Sequence, residues 1–153
     1  MAIKHLEDCK DKIVGSKNSV VYFADDDNSY DTRLFDEYIR NIKKAGVWAV
    51  GLVGGSPVEA PIVENGKVKG WHVSWNPERK FAVDMAGFAV SAHLIFKNHP
   101  RFGTECKKGG GAPETCFLES VGVKLSDLQA FGFEVVSIGF FAIIAINLTG
   151  NEA

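Results

Sequence analysis

An acidic triplet between a strand-like run and a helix-like segment constrains the fold more than any other feature of this sequence. The apolar run from Ser19 to Ala24 leads directly into Asp25, Asp26 and Asp27. Each carboxylate buried in a sheet would cost several kcal/mol unless a cation or a hydrogen-bond donor compensated it. At the carboxyl end of a strand, however, the three lie where open α/β sheets bind ligands. We therefore expect an α/β fold with a ligand site at this triplet.

The segments that follow the triplet have the periodicity of a helix and then a strand. From residue 31 to 44, apolar residues recur on one stripe, which predicts an amphipathic helix that begins near Ser29 or Asp31 and stops at Gly46. The run from Val47 to Val53 is almost wholly apolar, which predicts one strand buried on both faces. This order matches the first part of a βαβ unit.

Later segments predict a hairpin and two short helices. The runs 59–64 and 67–75 flank Asn65-Gly66, which is the strongest short signal for a β-hairpin. Helical segments are predicted at 91–97 and 114–120.

Composition indicates one domain and excludes some partners. Of the 153 residues, 46% are hydrophobic and 24% are charged, which suits one globular domain that buries roughly 70% of its unfolded surface. The net charge of −2 argues against a nucleic-acid partner. The residues after Met1 have no apolar core, so we expect no signal peptide or membrane anchor here. Cys9, Cys106 and Cys116 allow one internal bridge at most, and their pairing stays open.

The apolar run from Val135 to Leu148 has two interpretations. It is too short to cross a bilayer as a helix but longer than a typical strand. A buried strand and a membrane-associating tail both remain open.

The aspartates suit a hard divalent cation. In an extended segment Asp25 and Asp27 point to the same side, so their oxygens can converge on Mg2+ or Mn2+, which commonly bridge to substrate phosphates. A solvated turn that caps the following helix is the alternative. An EF-hand fits poorly, because Tyr30 stands where that loop needs glycine and Asp36 where it needs glutamate.

Six segments in order resemble the animal β-1,3-glucuronosyltransferases, which build the linker tetrasaccharide of proteoglycans. The segments are Val21 to Tyr30, Val53-Gly54-Gly55, Glu59-Ala60-Pro61, Trp75 to Arg79, Phe81 to Val90 and Glu114 to Leu118. The resemblance implies an α/β fold of the GT-A, Rossmann-like type, of which this chain holds mainly the acceptor-binding half with the aspartate motif. It also implies inverting transfer of glucuronic acid from UDP-glucuronate to the 3-hydroxyl of a terminal galactose.

The same resemblance implies roles for individual residues. Asp27 corresponds to the ligand of a Mn2+ cofactor, and Asp25 and Asp26, with Asp27, correspond to the donor-binding positions. Glu114 corresponds to the catalytic base. The acceptor-galactose site corresponds to Glu59, Trp75, Arg79 and Asp84.

The resemblance is partial. We expect a partial catalytic domain at 1–130 and a divergent apolar tail at 131–153, because only 24 residues precede Asp25 and a Trp-His-Thr-Arg-type segment has no counterpart. The implied partners are UDP-glucuronate and a galactose-terminated glycan on a proteoglycan or glycoprotein, at the lumenal side of the Golgi membrane. An unpaired sheet edge would favour a homodimer. A non-catalytic homologue with a galactoside-binding or cation-binding surface is the alternative.

Overall fold

The chain forms two small β-sheets with helices packed beside them. The computed structural model describes residues 2–13, 18–24, 26, 28–53, 55–103, 106, 112–132 and 145–147. The strands are β1 Val20–Tyr22, β2 Asn28–Tyr30, β3 Ala45–Val47, β4 Val50–Val53, β5 Ser56–Glu64, β6 Lys67–His72, β7 Phe88–Ser91, β8 Leu128–Ala130 and β9 Ala145–Asn147. The α-helices are α1 Ala2–Asp8, α2 Lys10–Ile13, α3 Ala92–Asn98 and α4 Pro113–Val121.

Both sheets mix parallel and antiparallel pairs. The first sheet has the order β1-β7-β3-β8, and the second has the order β2-β9-β4-β5-β6. The pairs β3–β8 and β4–β9 are parallel. Strands β1 and β3 are both antiparallel to β7, which lies between them, so they run in the same direction. The predicted α/β class is therefore confirmed as a mixed α/β fold.

The predicted helix at 31–44 is shorter and irregular. The carboxylate of Asp31 accepts the backbone N–H of Arg33 at 2.9 Å, and a π-helical turn at Leu34–Tyr38 and a 3-10 turn at Ile39–Asn41 follow. Gly46 does not stop this helix, because it lies inside β3. A Cβ atom there would lie 2.7 Å from the Ile42 side chain, so Gly46 permits close packing instead.

The prediction of one strand from Val47 to Val53 was wrong. The run is divided between β3 in the first sheet and β4 in the second. At Trp48 the chain leaves the first sheet: its backbone N–H donates to Gly87 O at 3.1 Å and its indole N–H donates to Ala86 O at 2.9 Å. Strand β3 is buried, whereas Leu52 of β4 is 56% exposed, so burial on both faces holds for β3 alone. The sequence of both strands is apolar, and the pattern therefore has no break that marks the change of sheet.

The hairpin and the two later helices are confirmed. Asn65 and Gly66 connect β5 to β6 with φ angles of 51° and 71°, as a two-residue turn of type I′ requires. Strand β6 ends at His72, however, so Trp75 lies in the turn after the strand and not in it. Helices α3 and α4 occupy the predicted segments within one residue at each end.

Helix α4 is fixed to the first sheet by a cluster of aromatic rings. The ring of Phe117 in α4 is fully buried and stacks on Phe102, with centroids 4.1 Å apart. Phe23 meets Phe117 edge-on at 5.2 Å, and Phe88 of β7 lies 6.2 Å from it. Aromatic contacts at these separations stabilise the cluster beyond what the burial of the rings contributes.

Most of the apolar C-terminal run lies outside the described residues. Strand β9 accounts for positions 145–147, while 135–144 and Leu148 are not described. The choice between strand and membrane-associating tail stays a prediction there, as does the domain boundary at residue 130. In the described ranges, none of the helices has the length and apolar character needed to cross a membrane.

Replacing Phe117 with alanine should test how strongly α4 depends on this cluster. The change leaves a cavity among Phe23, Phe88 and Phe102, so we expect the free energy of unfolding to fall by about 3–5 kcal/mol in urea denaturation. Phe35→Ala is the matched control, because that ring is 42% exposed. Equal losses for the two variants would contradict the assigned packing role of Phe117.

Candidate functional site

Five residues predicted for the site line a single cavity. Its volume is about 210 Å³. The five come from β5, from the turn after β6, from the segment before β7 and from α4: Glu59, Trp75, Arg79, Asp84 and Glu114. Ligand pockets for drug-sized molecules measure roughly 300–1,000 Å³, so this cavity suits a small polar group better than a whole nucleotide sugar.

Strand β5 carries Glu59 into the interior. Glu59 lies opposite Val50 in the β4–β5 pair, and only 7% of its surface is exposed. Burial raises the pKa of the Glu59 carboxyl above its usual value, and the negative charge of Asp84 raises this pKa further. The guanidinium of Arg79 and the backbone N–H of Ser74 oppose that shift. Glu59 is thus a desolvated carboxyl in an acidic surrounding.

The turn after β6 joins Trp75 to Arg79. The guanidinium carbon of Arg79 lies 4.4 Å from the centre of the Trp75 ring, which is a cation–π distance. Arg79 also donates from Nε to Asn76 O and from Nη2 to Trp75 O, both at 3.2 Å. These contacts hold an indole that is 44% exposed at the edge of the cavity.

Arg79 is the counter-charge for the acidic groups of the cavity. Burial lowers the pKa of Arg79 below its usual value, while Glu114, Glu59 and Asp84 act in the opposite direction. Three carboxyl groups therefore share one guanidinium. The surplus of acceptors suits a ligand that donates several hydrogen bonds, such as a sugar with free hydroxyl groups.

Asp84 and Glu114 are held by local backbone geometry. Asp84 caps the 3-10 turn at Met85–Gly87, where its Oδ1 accepts the backbone N–H of Ala86 at 2.9 Å. Glu114 lies in the first turn of α4, directly after Pro113, and the positive end of a helix dipole stabilises a carboxylate at such a position.

Two of the three aspartates predicted for the donor and metal site lie outside the described residues. These are Asp25 and Asp27. Asp26 is exposed in the turn between β1 and β2 and does not line the cavity. Among the residues that are described, no group of three acidic, histidine or cysteine side chains could hold a metal ion. The triplet offers only hard carboxylate oxygens, and this donor set fits Mg2+ or Mn2+.

Several features of the site were not predicted from the sequence. Val53 and Val83 form apolar parts of the cavity wall, and the hydroxyl of Thr115 donates to Phe81 O at 2.8 Å. These residues occur in segments that carry the family resemblance, but their side chains have no chemistry that distinguishes them from core residues. Only their spatial neighbours indicate a place in the site.

A disulfide joins Cys106 to Cys116, two residues after Glu114. Their Cα atoms are 5.7 Å apart, and Cys9 is a free thiol. The bridge settles the pairing that the sequence left open. It ties the first half of α4 to the segment that follows Phe102.

Comparisons with known proteins point to one family. The family model described as Glycosyltransferase family 43 matches residues 1–143. A galactosylgalactosylxylosylprotein 3-beta-glucuronosyltransferase of Caenorhabditis elegans is 45% identical over 122 residues, which are 78% of this chain and 33% of the relative. Galactosylgalactosylxylosylprotein 3-beta-glucuronosyltransferase 2 of Homo sapiens is 48% identical over 102 residues, which are 67% of this chain and 31% of the relative. The chain thus spans about a third of the length of these curated relatives.

Replacing Glu59 with glutamine should stabilise the protein at neutral pH. The raised pKa means that the folded state retains the Glu59 proton more strongly than the unfolded chain, so wild-type stability falls as pH rises through the folded pKa. We expect Glu59→Gln to remove that loss and to match the wild type below about pH 4, near the ordinary carboxyl pKa. Urea denaturation across pH measures the difference, with Glu64→Gln on the exposed end of β5 as control.

Removing the disulfide should destabilise the folded chain. The bridge closes a short loop, with a sequence separation of 10, in the unfolded state. We expect the paired substitution Cys106→Ser with Cys116→Ser to lower the free energy of unfolding by roughly 2–3 kcal/mol. Cys9→Ser is the control, and a reductant should lower the melting temperature of the wild type but not of the paired variant. Indifference of the wild type to reductant would argue against the bridge.

Proposed function

This chain belongs to glycosyltransferase family 43, and we propose that it takes part in the transfer of glucuronic acid from UDP-glucuronate to the 3-hydroxyl of a terminal galactose. The observation that carries the proposal is the cavity itself, because residues from four separate segments converge there. The names of the relatives, which are 3-beta-glucuronosyltransferases, support the same reaction class. A GT-A-type arrangement of the mixed α/β fold, of which this chain holds mainly the acceptor half, is part of the proposal.

Glu114 is the proposed catalytic base. Its carboxylate takes the proton of the galactose 3-hydroxyl, and the oxygen forms a bond to the anomeric carbon of glucuronate. The bond from that carbon to UDP breaks as the new bond forms. The anomeric configuration is therefore inverted, and the proton remains on Glu114 until solvent removes it. The dipole of α4 and the positive charge of Arg79 stabilise the carboxylate before the reaction.

The other cavity residues are proposed to hold the acceptor galactose. A sugar ring offers an apolar C–H face, which suits the exposed indole of Trp75. Glu59 and Asp84 can accept sugar hydroxyl groups, and Arg79 can donate to ring or hydroxyl oxygens. Holding the acceptor in this way makes its reaction with the donor effectively unimolecular, and this lowers the activation barrier of the transfer.

The aspartate triplet is proposed to serve the donor. Asp27 would hold Mn2+, with Asp25 and Asp26 beside the nucleotide and sugar. A metal held there would supply positive charge to offset the negative charge that develops on the departing diphosphate. Only oxygen ligands are offered by these side chains, which supports Mn2+ or Mg2+ over metals that prefer sulfur or nitrogen.

The disulfide supports a lumenal location. Bridges persist in the secretory pathway and are rare in the cytosol, where thiols stay reduced. The bridge between Cys106 and Cys116 is therefore in accord with the lumenal side of the Golgi membrane, as proposed for this chain.

A galactoside-binding module is the second candidate function. The polar and charged residues that line the cavity are the four proposed acceptor residues and the base. The acceptor surface alone could bind a galactoside without transfer.

Transfer of labelled glucuronate to a Gal-β1,3-Gal acceptor tests the leading proposal. We expect Glu114→Gln to lower kcat by about 10²- to 10⁴-fold, because the base is lost while its shape is kept. Asp27→Asn should also reduce transfer, since one metal ligand becomes neutral. The matched controls are Glu64→Gln and Asp36→Asn, which change exposed side chains on β5 and in the π-helical turn. Full activity of Glu114→Gln would refute the assignment of the base.

Thermal shifts separate the alternatives. Stabilisation by a galactose disaccharide, without any response to Mn2+ and UDP, would favour the binding module. A response to Mn2+ that UDP does not increase would favour a cation-binding surface.

A further inference from the structure

The residue next to the proposed base is a buried hydroxyl with a defined partner. Thr115 is 4% exposed and donates from Oγ1 to the backbone carbonyl of Phe81 at 2.8 Å. In the described part of the chain, Glu59 and Thr115 are the buried polar or charged side chains. Burial of a hydroxyl is costly unless a hydrogen bond compensates it. This bond therefore restricts the position of the first turn of α4 relative to Phe81.

The acceptor of this bond, Phe81 O, belongs to the segment that leads into the cavity wall at Val83 and Asp84. Phe81, Ala82 and Val83 are all buried, and the same segment ends at Asp84, which lines the cavity with Glu114. The preceding carbonyl, that of Lys80, accepts the indole N–H of Trp71 at 3.2 Å. The segment is thus bonded to β6 at Lys80 and to α4 at Phe81. A bond from Thr115 to this segment relates the position of Glu114 to that of Asp84.

Two other links to α4 do not fix the position of Glu114 relative to Asp84. The ion pair between Lys80 and Glu119 measures 3.6 Å and is partly exposed, so it contributes little. The disulfide ties Cys116 to Cys106, which lies on a different segment from Asp84. The ion pair joins the segment to Glu119, further along α4 than Thr115, and the disulfide does not touch the segment that ends at Asp84.

We propose that Thr115 is a positioning residue, which holds Glu114 at the acceptor site through its hydrogen bond to Phe81 O. This inference rests on the proposed function, because it gives Thr115 a task only if Glu114 is the base. Loss of the hydroxyl leaves the Phe81 carbonyl without this partner and allows the first turn to move. A displacement of 1 Å at a reacting group can cost about 10²-fold in rate.

The effect should appear in kcat and not in KM. Glu59, Trp75 and Arg79 lie on elements that Thr115 does not carry. Asp84 retains its bond from Ala86 N–H, and its segment retains the bond from the Trp71 indole, so acceptor binding should change little. The step that needs an accurately placed carboxylate is the proton transfer itself.

The test compares Thr115→Val, which has the same shape without the hydroxyl, with Thr115→Ser, which retains the hydroxyl. Glucuronate transfer by the full chain with Mn2+, UDP-glucuronate and Gal-β1,3-Gal should show kcat reduced by about 10- to 100-fold for Thr115→Val. KM for the acceptor should stay within about threefold, and Thr115→Ser should remain within about threefold of the wild-type kcat. Ser120→Ala is the control, because it removes a hydroxyl bond to Phe117 O from the exposed end of the same helix.

A double-mutant cycle separates positioning from a general effect on folding. In the Glu114→Gln background, Thr115→Val should have no further effect on the residual rate, because the group it positions is gone. An equal further loss in that background would overturn the inference. Melting curves of each variant establish that the measured chains are folded.

The remaining outcomes distinguish the two proposals. An active wild type with unchanged kcat for Thr115→Val overturns the role of Thr115 and leaves the proposed function standing. An inactive wild type overturns the proposed function, and the role of Thr115 with it. If Thr115→Val does not unfold cooperatively, Thr115→Ala takes its place, and equal kcat for Thr115→Ala and Thr115→Ser overturns the inference.

Discussion

The geometry of the site depends on two neighbouring backbone carbonyls that accept hydrogen bonds from two different elements. The indole of Trp71 in β6 donates to Lys80 O, and the hydroxyl of Thr115 in α4 donates to Phe81 O. A hairpin and a helix that are distant in sequence therefore meet at one dipeptide. Because the segment after it is buried up to Val83, the cavity wall behind Asp84 is part of the core. A site built on packed elements holds its side chains more accurately than a site built on loops.

Electrostatic cost is the second constraint on this site. Glu59 is buried beside Asp84, and its pKa is raised by both burial and that neighbouring charge. Arg79 offsets part of the cost, although it too is desolvated. Groups whose charge is opposed by burial and by like charges are common at functional sites, where a ligand supplies the missing hydrogen bonds. The loss of stability expected at Glu59 is thus the energetic cost of a pocket that is rich in hydrogen-bond acceptors.

Local features of the fold could be predicted where short-range physics dominates. Asn65 and Gly66 adopt left-handed conformations, which asparagine tolerates and which glycine adopts freely because it has no Cβ atom, so these two residues were enough to predict the hairpin. The boundary between β3 and β4 could not be predicted, because Trp48 and Ala49, where the chain changes sheet, are not turn-forming residues. It is set by the contacts of Trp48 with Ala86 and Gly87, which are nearly forty residues away in the chain.

The sequence by itself determined the chemistry of the site: which carboxylates, which guanidinium and which indole are available, and in which family pattern they occur. It also determined the hairpin turn and the two later helices, since these follow from backbone preferences and periodicity. Only the tertiary structure decided that Glu59, Trp75, Arg79, Asp84 and Glu114 share one cavity, that Cys106 pairs with Cys116, and that Thr115 faces Phe81. These relations arise from packing between segments far apart in sequence, and local propensity carries no information about such distances.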